Sequence, residues 1–374
     1  MTTWKTYRAE DYCLKVTDGT HDSPKPQAEG RYLITSKHLK SSGIDFSSAN
    51  KICEEDYQKI IQRSKVEQYD ILFSMIGTVG NIHRVTIPIV DFAVKNMGIF
   101  KMGGDANKSL WMYYWLQSPI AQEYIQSRIT GSTQGYLTLG NLRDFPVCVP
   151  SLAEQRRIAG ILGAIDDKIE NNRRINTNLE LQAQALYKQW FVDNRNDDWK
   201  TLMLDDVATL SAGGDKPQIC SEQKTPECNI PIYSNGIDNE GLYGYTNNPR
   251  ITENSITISA RGTIGFVCLR TEPYVPIVRL ISVVPTYENM SAYFLYLWAL
   301  TQNISGTGTT QQQLTVPAFR TTKIVVPAQK ALIKFNQVVK PIFDNIKQNK
   351  KENETLTTLR DTLLPKLMNG EIKL

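Results

Sequence analysis

Histidine is scarce in this sequence, and its cysteines are scattered. The chain of 374 residues contains three histidines, His21, His38 and His83, which are far apart in the sequence. Its six cysteines form no CxxC pair. This spacing indicates neither a metal site nor a Ser-His-Asp or Cys-His catalytic set, and it favours free thiols in a reducing compartment.

Long apolar runs and a recognisable export signal are also absent. No stretch is apolar enough to span a bilayer, and the opening residues MTTWKTYRAE do not have the pattern of a signal peptide. With 41% hydrophobic and 21% charged residues, the composition is typical of a globular protein. The sequence therefore predicts a cytoplasmic protein with no membrane partner.

Motifs that bind nucleotides or cofactors are missing as well. Neither GxxxxGK[ST] nor GxGxxG occurs, and there is no Asn-Pro-Pro-aromatic tetrad of the methyltransferase type. The tetrads GTVG (77–80) and GTIG (262–265) are too short for a phosphate loop and predict tight turns between strands. Asp166 and Asp167 have no nucleophile beside them in the sequence, so we expect them on a solvated helix face. The sequence predicts a non-catalytic chain with no cofactor or metal of its own.

A strong positive charge, the usual footprint of DNA binding, is lacking. The formal net charge is +4, and residues 191–323 contain ten Lys and Arg against 13 Asp and Glu. Charge alone therefore does not predict DNA binding. Any DNA-binding face must be a local patch, or a partner subunit must share the neutralisation of phosphates.

Residues 151–191 are predicted to form one long helix. They contain no proline and only two glycines, and Ser151 with Glu154 makes an S-x-x-E capping box. At about 1.5 Å per residue, this helix would be roughly 60 Å long. Steps of three and four residues define a coiled-coil seam with asparagines at its centre. The seam is Leu162, Ile165, Ile169, Asn172, Asn176, Leu179, Ala183, Leu186 and Trp190.

The seam returns 177 residues later, the distance from Pro150 to Pro327. The second copy is Val339, Ile342, Ile346, Asn349, Asn353, Leu356, Arg360, Leu363 and Leu367. Both central asparagines coincide with asparagines, and upstream the segment 131–134 (GSTQ) matches 308–311 (GTTQ). The chain is therefore an internal duplication in which each long helix is the other's partner. We expect the asparagines of the two seams to pair and to set the coiled-coil register; they are Asn172, Asn176, Asn349 and Asn353.

The duplication predicts two domains and two helices. The segments are a first mixed α/β domain at 1–150, a long helix at 151–191, a linker and second domain at 192–323, and a distal long helix at 324–374. We place the linker itself at 192–202. The two domains share short matching segments, such as 77–80 with 262–265 and 109–114 with 291–296, which we call shared anchors. Their loops differ, as expected of modules that have one shape and read different targets. Trp111, Tyr114 and Trp115 have helical spacing and are expected in the core.

Polar and basic residues between the shared anchors are candidates for contacting DNA. Asn, Gln, Arg and Lys can hydrogen-bond base edges, and Ser and Thr more often contact the backbone. Ordinary surface is the alternative at each position, and the GSTQ and GTTQ segments could equally be structural turns. The candidates are Lys37, His38, Lys40, Lys95, Asn96, Thr133, Gln134, Ser234, Asn235, Arg261, Thr309, Thr310, Gln311 and Gln312.

Several of these motifs resemble one family, the specificity subunits of type I restriction–modification systems. The long helix resembles that family's central conserved region, and the chain's last residues resemble its distal region. One departure is that the second helix opens with Pro-Ala-Gln-Lys and lacks the Glu-Gln pair of the first. The matching residues are 154–159 (EQRRIA), 165–174 (IDDKIENNRR), 190–193 (WFVD) and 363–372 (LLPKLMNGEI).

The resemblance implies an α+β fold with two target recognition domains separated by an antiparallel coiled coil. It also implies a chain that selects an asymmetric, bipartite site on double-stranded DNA in a prokaryotic cell. Adenine methylation would belong to modification subunits, two of them, using S-adenosylmethionine. ATP-driven translocation and cleavage with Mg would belong to restriction subunits.

Two alternatives remain open on the residues alone. The chain could be a coiled-coil adaptor whose domains bind proteins, which its nearly neutral charge favours. It could also be the DNA-reading subunit of another restriction system, in which nuclease and methylase are fused. Genomic neighbours would separate this last case from type I.

Overall fold

The computed structural model describes residues 4–40, 43–131, 135–306 and 313–372. The chain forms two compact units. The first unit is Met1–Asn171 with Glu352–Leu374, and the second unit is Asn172–Lys351. Each contains one mixed domain and a part of both long helices. Across the described residues, no helix is both long and apolar enough to cross a membrane.

The first unit contains three small sheets and one sheet of four strands. Its elements are β1 (Lys5–Arg8), α1 (Ala9–Tyr12), β2 (Lys15–Asp18), β3 (Arg31–Ile34), β4 (Leu39–Lys40), β5 (Gly43–Ile44), β6 (Asn50–Ile52), α2 (Glu54–Ser64), β7 (Ile71–Ser74), β8 (Ile82–Arg84), β9 (Phe92–Val94), β10 (Met97–Lys101), α3 (Ala106–Leu116), α4 (Pro119–Arg128), α5 (Leu139–Arg143), β11 (Pro146–Val149) and the start of α6 (Leu152–Tyr187). The antiparallel four-stranded sheet has the order β2-β10-β7-β8. A second sheet, β6-β3-β9, contains one parallel pair, β3 with β9.

The aromatic residues of α3 form the core of the first unit, as the sequence predicted. Trp111, Tyr114 and Trp115 are each at most 1% exposed and pack against Leu162 of the long helix. The indole N–H of Trp115 donates to the Pro146 carbonyl at 2.7 Å, which satisfies a buried polar group. This helix therefore anchors the domain to the segment that leads into α6.

The second unit repeats this topology. Its elements are β12 (Lys200–Met203), α7 (Leu204–Val207), β13 (Ala208–Ala212), β14 (Ile230–Tyr233), β15 (Leu242–Thr246), β16 (Ser255–Ile258), β17 (Val267–Arg270), β18 (Val275–Pro276), β19 (Ile281–Pro285), α8 (Ala292–Leu300), α9 (Val316–Arg320), β20 (Lys323–Val326) and α10 (Gln329–Met368). Its four-stranded sheet is β13-β19-β16-β17 and its mixed sheet is β15-β14-β18. Strand for strand, this is the order of the first unit, so the predicted duplication is confirmed in the fold.

Two predicted boundaries change. Residues 192–202, interpreted as a linker, have structure at both ends, because a π-helical turn covers Lys188–Asp193 and β12 begins at Lys200. The distal helix begins at Gln329 and not at residue 324, because Lys323–Val326 is a strand that pairs with β12. The polar composition of the predicted linker gave no sign of β12. The four residues of β20 are too few to show the alternation of apolar and polar residues that is typical of a strand.

The two long helices run antiparallel wherever one unit contains both. In the first unit Ile169 contacts Asn353 and Asp166 contacts Arg360, so residue numbers rise on one helix and fall on the other. Every predicted seam position is buried or half-buried. The start of α6 is capped, because the Glu154 N–H donates to Ser151 Oγ at 3.3 Å. These observations confirm the predicted α+β fold class and its paired helices.

Candidate nucleic-acid interface

One edge of each four-stranded sheet gathers the loops that differ between the two units. In the second unit, β13 and β16 end at this edge, while β17 and β19 begin there. The corresponding strands of the first unit are β2, β7, β8 and β10. We call this side of each sheet the loop edge. Antiparallel neighbours bring these termini together, so residues distant in sequence become neighbours.

The glycine tetrads are turns at the loop edge, as predicted. Gly77 and Gly80 have φ of 80° and 96°, and Gly262 and Gly265 have φ of 69° and 85°. Only glycine adopts this backbone region without strain. Each turn joins the third and fourth strands of its sheet in the same way. The tetrads therefore have a structural role as strand-connecting turns. The residue before each turn lies at the loop edge.

That preceding residue differs between the units. Ile76 forms a backbone bridge with Tyr136 in the first unit. At the equivalent position of the second unit, the exposed Arg261 donates from Nε and Nη2 to Gln313 Oε1 at 3.1 and 2.8 Å. One unit thus presents apolar and aromatic groups where the other presents an oriented guanidinium.

Asn235 connects three segments of the second unit. Its Nδ2 donates to the Val278 carbonyl at 2.6 Å, and its Oδ1 accepts from the Ala260 N–H at 2.7 Å. The amide is thereby engaged with backbone groups, which indicates a structural role in place of the predicted base contact. Ser234 lies just before it and donates its backbone N–H to Gly241 O at 2.8 Å.

In the first unit the loop edge is polar, and its side chains hydrogen-bond one another. Lys95 Nζ donates to Ser23 Oγ, and Asn96 has φ of 53°, with its Oδ1 at 2.9 Å from His21 Nδ1. His21 Nε2 lies 2.9 Å from the Asp18 carboxylate. Lys95 and Asn96 are thus brought to the loop edge, as DNA contacts would require.

His38 corrects one prediction. Its side chain is buried, with the residue only 2% exposed, and Nδ1 accepts a hydrogen bond from the Thr35 N–H at 2.9 Å. Burial lowers the pKa of this imidazole and favours its neutral form. His38 therefore caps a short 3-10 turn and cannot touch DNA in this conformation, whereas the neighbouring Lys37 and Lys40 are exposed.

Six predicted contacts lie outside the described residues. They are Thr133, Gln134, Thr309, Thr310, Gln311 and Gln312. The described residues that follow them lie at the loop edge, because Leu137 N–H donates to Met75 O at 2.9 Å and Leu314 N–H donates to Ala260 O at 3.0 Å. Their roles remain predictions.

Two arginines at the loop edge were missed from the sequence. Arg279 is exposed in the turn that leads into β19, and Arg250 lies against Gly214, where an added Cβ would be 2.6 Å from its Nη1. Neither residue stands near a shared anchor or in a basic run. No local signal in the sequence could have found them, because only the sheet brings their loops together.

The central asparagines lie in the seam between the long helices. In the second unit, Asn349 Nδ2 donates to Asn176 Oδ1 at 2.8 Å. Asn176 Nδ2 donates to Ile346 O at 3.4 Å, and Asn353 Nδ2 donates to Ile169 O at 3.2 Å in the first unit. These last two bonds are related by the same 177-residue offset, so the duplication extends to individual hydrogen bonds.

Asp166 corrects a second prediction, because it is not on a solvated face. Its carboxylate accepts from Tyr114 Oη at 2.7 Å and from Arg360 Nη1 at 2.8 Å, and its side chain is 26% exposed. Asp167 is exposed, as predicted. Burial, followed by the charge of Asp166, raises the pKa of Tyr114, so the phenol stays protonated and donates.

Comparisons with known proteins agree with this architecture. The family model described as "Type I restriction modification DNA specificity domain" matches residues 4–181 and again residues 196–358. The MjaIX specificity subunit of Methanocaldococcus jannaschii is 28% identical over 303 residues, covering 72% of this chain and 70% of that protein. The HindI specificity subunit of Haemophilus influenzae is 24% identical over 405 residues, covering 83% and 88%.

Among solved structures, the type I S subunit from M. genitalium shares the fold. Its TM-score is 0.57 at 18% identity, and the match covers 97% of this chain and 96% of that one. Because the family model matches most of the sequence in two copies, the resemblance and the DNA-specificity role expected from it are confirmed. This chain belongs to the family of type I restriction–modification DNA specificity proteins.

Proposed function

We propose that this chain selects the DNA target of a type I restriction–modification complex, with each domain reading one half of a bipartite site. The supporting observation is the repeated loop edge: two sheets of identical strand order display different side chains at the same place. Sequence is read by side chains at base edges, so equal frames with unequal loops suit two different half-sites.

The site should therefore be asymmetric. Arg261 with Gln313 occupies the position that Ile76 with Tyr136 occupies in the other domain. A guanidinium pairs well with guanine, whereas apolar groups contact the thymine methyl. The two half-sites would thus differ in base composition as well as in order.

Catalysis would come from partner subunits and not from this chain. We propose two modification subunits that use S-adenosylmethionine to methylate adenine, and restriction subunits that use ATP and Mg, all acting on DNA in the prokaryotic cytoplasm. Exposed apolar side chains on the long helices favour protein partners. Ile161 and Val338, 38% and 43% exposed, are equivalent under the 177-residue offset and would offer two like surfaces, one for each modification subunit.

Methylation mapping tests this function. The chain is co-expressed with its neighbouring methyltransferase in a host without DNA methylation, and modified bases are identified by sequencing. A single asymmetric split motif with a fixed spacer is the expected result. No new methylation, with a folded methyltransferase bound to this chain, would instead favour the protein-binding adaptor.

A further inference from the structure

A strained turn presents Arg279 at the loop edge of the second unit. Val278 and Arg279 have φ of 51° and 60°, and Leu280 N–H donates to Ile277 O at 3.0 Å. Two left-handed residues in such a turn define the type I′ class, which strongly prefers Asn-Gly. A β-branched valine is especially disfavoured there. Strain of this kind persists only where surrounding contacts impose it, and it is concentrated at functional sites.

Neighbouring loops impose this conformation. Val278 N–H donates to Gly214 O at 2.9 Å, and Arg279 N–H donates to Gly213 O at 3.0 Å. On its other side, the Val278 carbonyl accepts from Asn235. The backbone of Arg279 is therefore held by two loops, while its side chain is left exposed.

The first unit has one residue fewer at this place. Its β-bridge at Lys95 and its ladder pair at Gly98 are three residues apart in sequence. The equivalent bridge and pair of the second unit, at Ile277 and Ile281, are four apart. The first unit has a single left-handed residue here, Asn96 with φ of 53°, so the turn with two left-handed residues distinguishes the second domain from the first.

Two more arginines border the same loops. Arg250 lies over Gly214, the residue whose carbonyl holds the turn. Arg261 follows Ala260, which Asn235 ties to the turn. A short chain of contacts therefore connects the loops that carry Arg250, Arg261 and Arg279.

These three arginines differ from Arg270 and Arg320, two arginines of the same domain that form ion pairs. None of them has an acidic partner within 4 Å among the described residues, whereas Arg270 pairs with Glu240 and Arg320 with Asp205. The segment 191–323 has more acidic than basic residues. Three such arginines at the loop edge of a domain with an acidic excess make a local positive patch, which is what DNA binding requires.

We propose that Arg250, Arg261 and Arg279 form the surface by which the second domain contacts its half-site on duplex DNA. The proposal rests on the proposed function and names its contact residues. Arg261 is oriented by Gln313, and the backbone of Arg279 is held by its turn, so less conformational freedom is lost on binding than from a mobile loop.

The test uses the complex of this chain with its methyltransferase partner. Arg250→Ala, Arg261→Ala and Arg279→Ala are compared with Lys323→Ala, a control that removes an exposed charge from β20. Binding to duplexes that carry base changes in either half-site is measured over a range of salt concentrations. A base contact should cost on the order of 5- to 150-fold in affinity for the correct second half-site. A phosphate contact should reduce the salt slope by about one.

Discrimination at the first half-site should be unchanged in every variant. Thermal unfolding of each complex verifies folding, and Arg→Gln replacements substitute for any alanine variant that unfolds. A further variant replaces all three arginines with alanine. Wild-type affinity, salt slope and second half-site preference in that variant would overturn the proposal. If the wild-type complex itself bound without sequence preference, the proposed function would fail instead.

Discussion

Asn349 donates a hydrogen bond from Nδ2 to Oδ1 of Asn176 at 2.8 Å, between the two long helices of the second unit. Both residues occupy seam positions that an apolar side chain would fill more stably. A polar pair in a coiled-coil seam lowers stability but penalises every register in which the partners do not meet. The pair therefore favours one alignment of the helices.

Replacing the four central asparagines, Asn172, Asn176, Asn349 and Asn353, with leucine should raise the thermal midpoint. It should also loosen spacer choice or oligomeric state, because apolar seams tolerate slippage. Calorimetry, sedimentation and methylation on sites of varied spacer length measure the three properties. Asn345→Leu, on an exposed face of α10, is the matched control. Unchanged spacer preference and assembly would remove the register role.

The ion pair between Asp166 and Arg360 should stabilise the first unit. At the equivalent positions of the second unit lie Phe343 and Ala183, which are both buried and apolar. Arg360→Ala would leave a partly buried carboxylate without its cation, at a cost of about 1–3 kcal/mol. The double variant Asp166→Phe, Arg360→Ala copies the second unit and should recover part of that loss.

Denaturant unfolding of these variants measures the effect, with the exposed Asp167→Ala as the control. Equal stability of the wild type and Arg360→Ala would show that the pair contributes nothing. A double variant less stable than Arg360→Ala would show that the first unit cannot accommodate the apolar pair of the second unit at these positions.

The spacer between half-sites should follow the length of the helices. Inserting one heptad into α6 and one at the equivalent point of α10 preserves the seam and adds about 10 Å. The preferred spacer should lengthen by roughly three base pairs, while both half-sites stay the same. Methylation mapping of the variant reads both quantities at once. If the half-sites changed and the spacer did not, the length of the helices would not set the spacer.

His83 on β8 should make the first unit sensitive to acid. Burial lowers the pKa of this imidazole to about 4, below the value near 6.5 of an unfolded chain. As the pH falls between these values the unfolded state binds the proton first, so stability decreases, by at most about 1.4 kcal/mol per pH unit. The contribution is absent above about pH 7.

Thermal midpoints of the wild type and His83→Phe at pH 7.5 and pH 5 check this expectation. The wild type should lose more stability than the variant on acidification. His21→Gln, at a side chain 63% exposed, serves as the control. Identical pH dependence in wild type and His83→Phe would show that His83 does not titrate as expected.

Patterns that recur with a fixed period were readable in advance. The seam residues and the aromatic stripe of Trp111, Tyr114 and Trp115 follow a helical period, and the two copies of the seam repeat at a fixed offset of 177 residues. Each of these patterns was confirmed. Short polar strands were not readable. The strand β12 looked like linker because only its pairing with β20 makes it a strand.

The candidate site divides in the same way. Arg261, Lys95 and Asn96 were chosen as polar or basic residues in the region of the shared anchors, and the structure brings them to the loop edges, while their contact with DNA stays a prediction. His38 and Asn235 also have polar side chains, but these side chains hydrogen-bond backbone groups of their own domain. Residue type indicates what a side chain can bond, and burial decides whether that bond is available.

By itself the sequence determined the duplication, the two long helices with their seam, and membership of the family, because periodicity and repetition are properties of chain order. Only the tertiary structure decided which side chains share a surface. Val278 and Arg279 carry no turn signal, yet they form a turn because Gly213, Gly214 and Asn235 bond their backbone from distant loops. Such contacts depend on strand pairing between remote segments, and no local pattern encodes them.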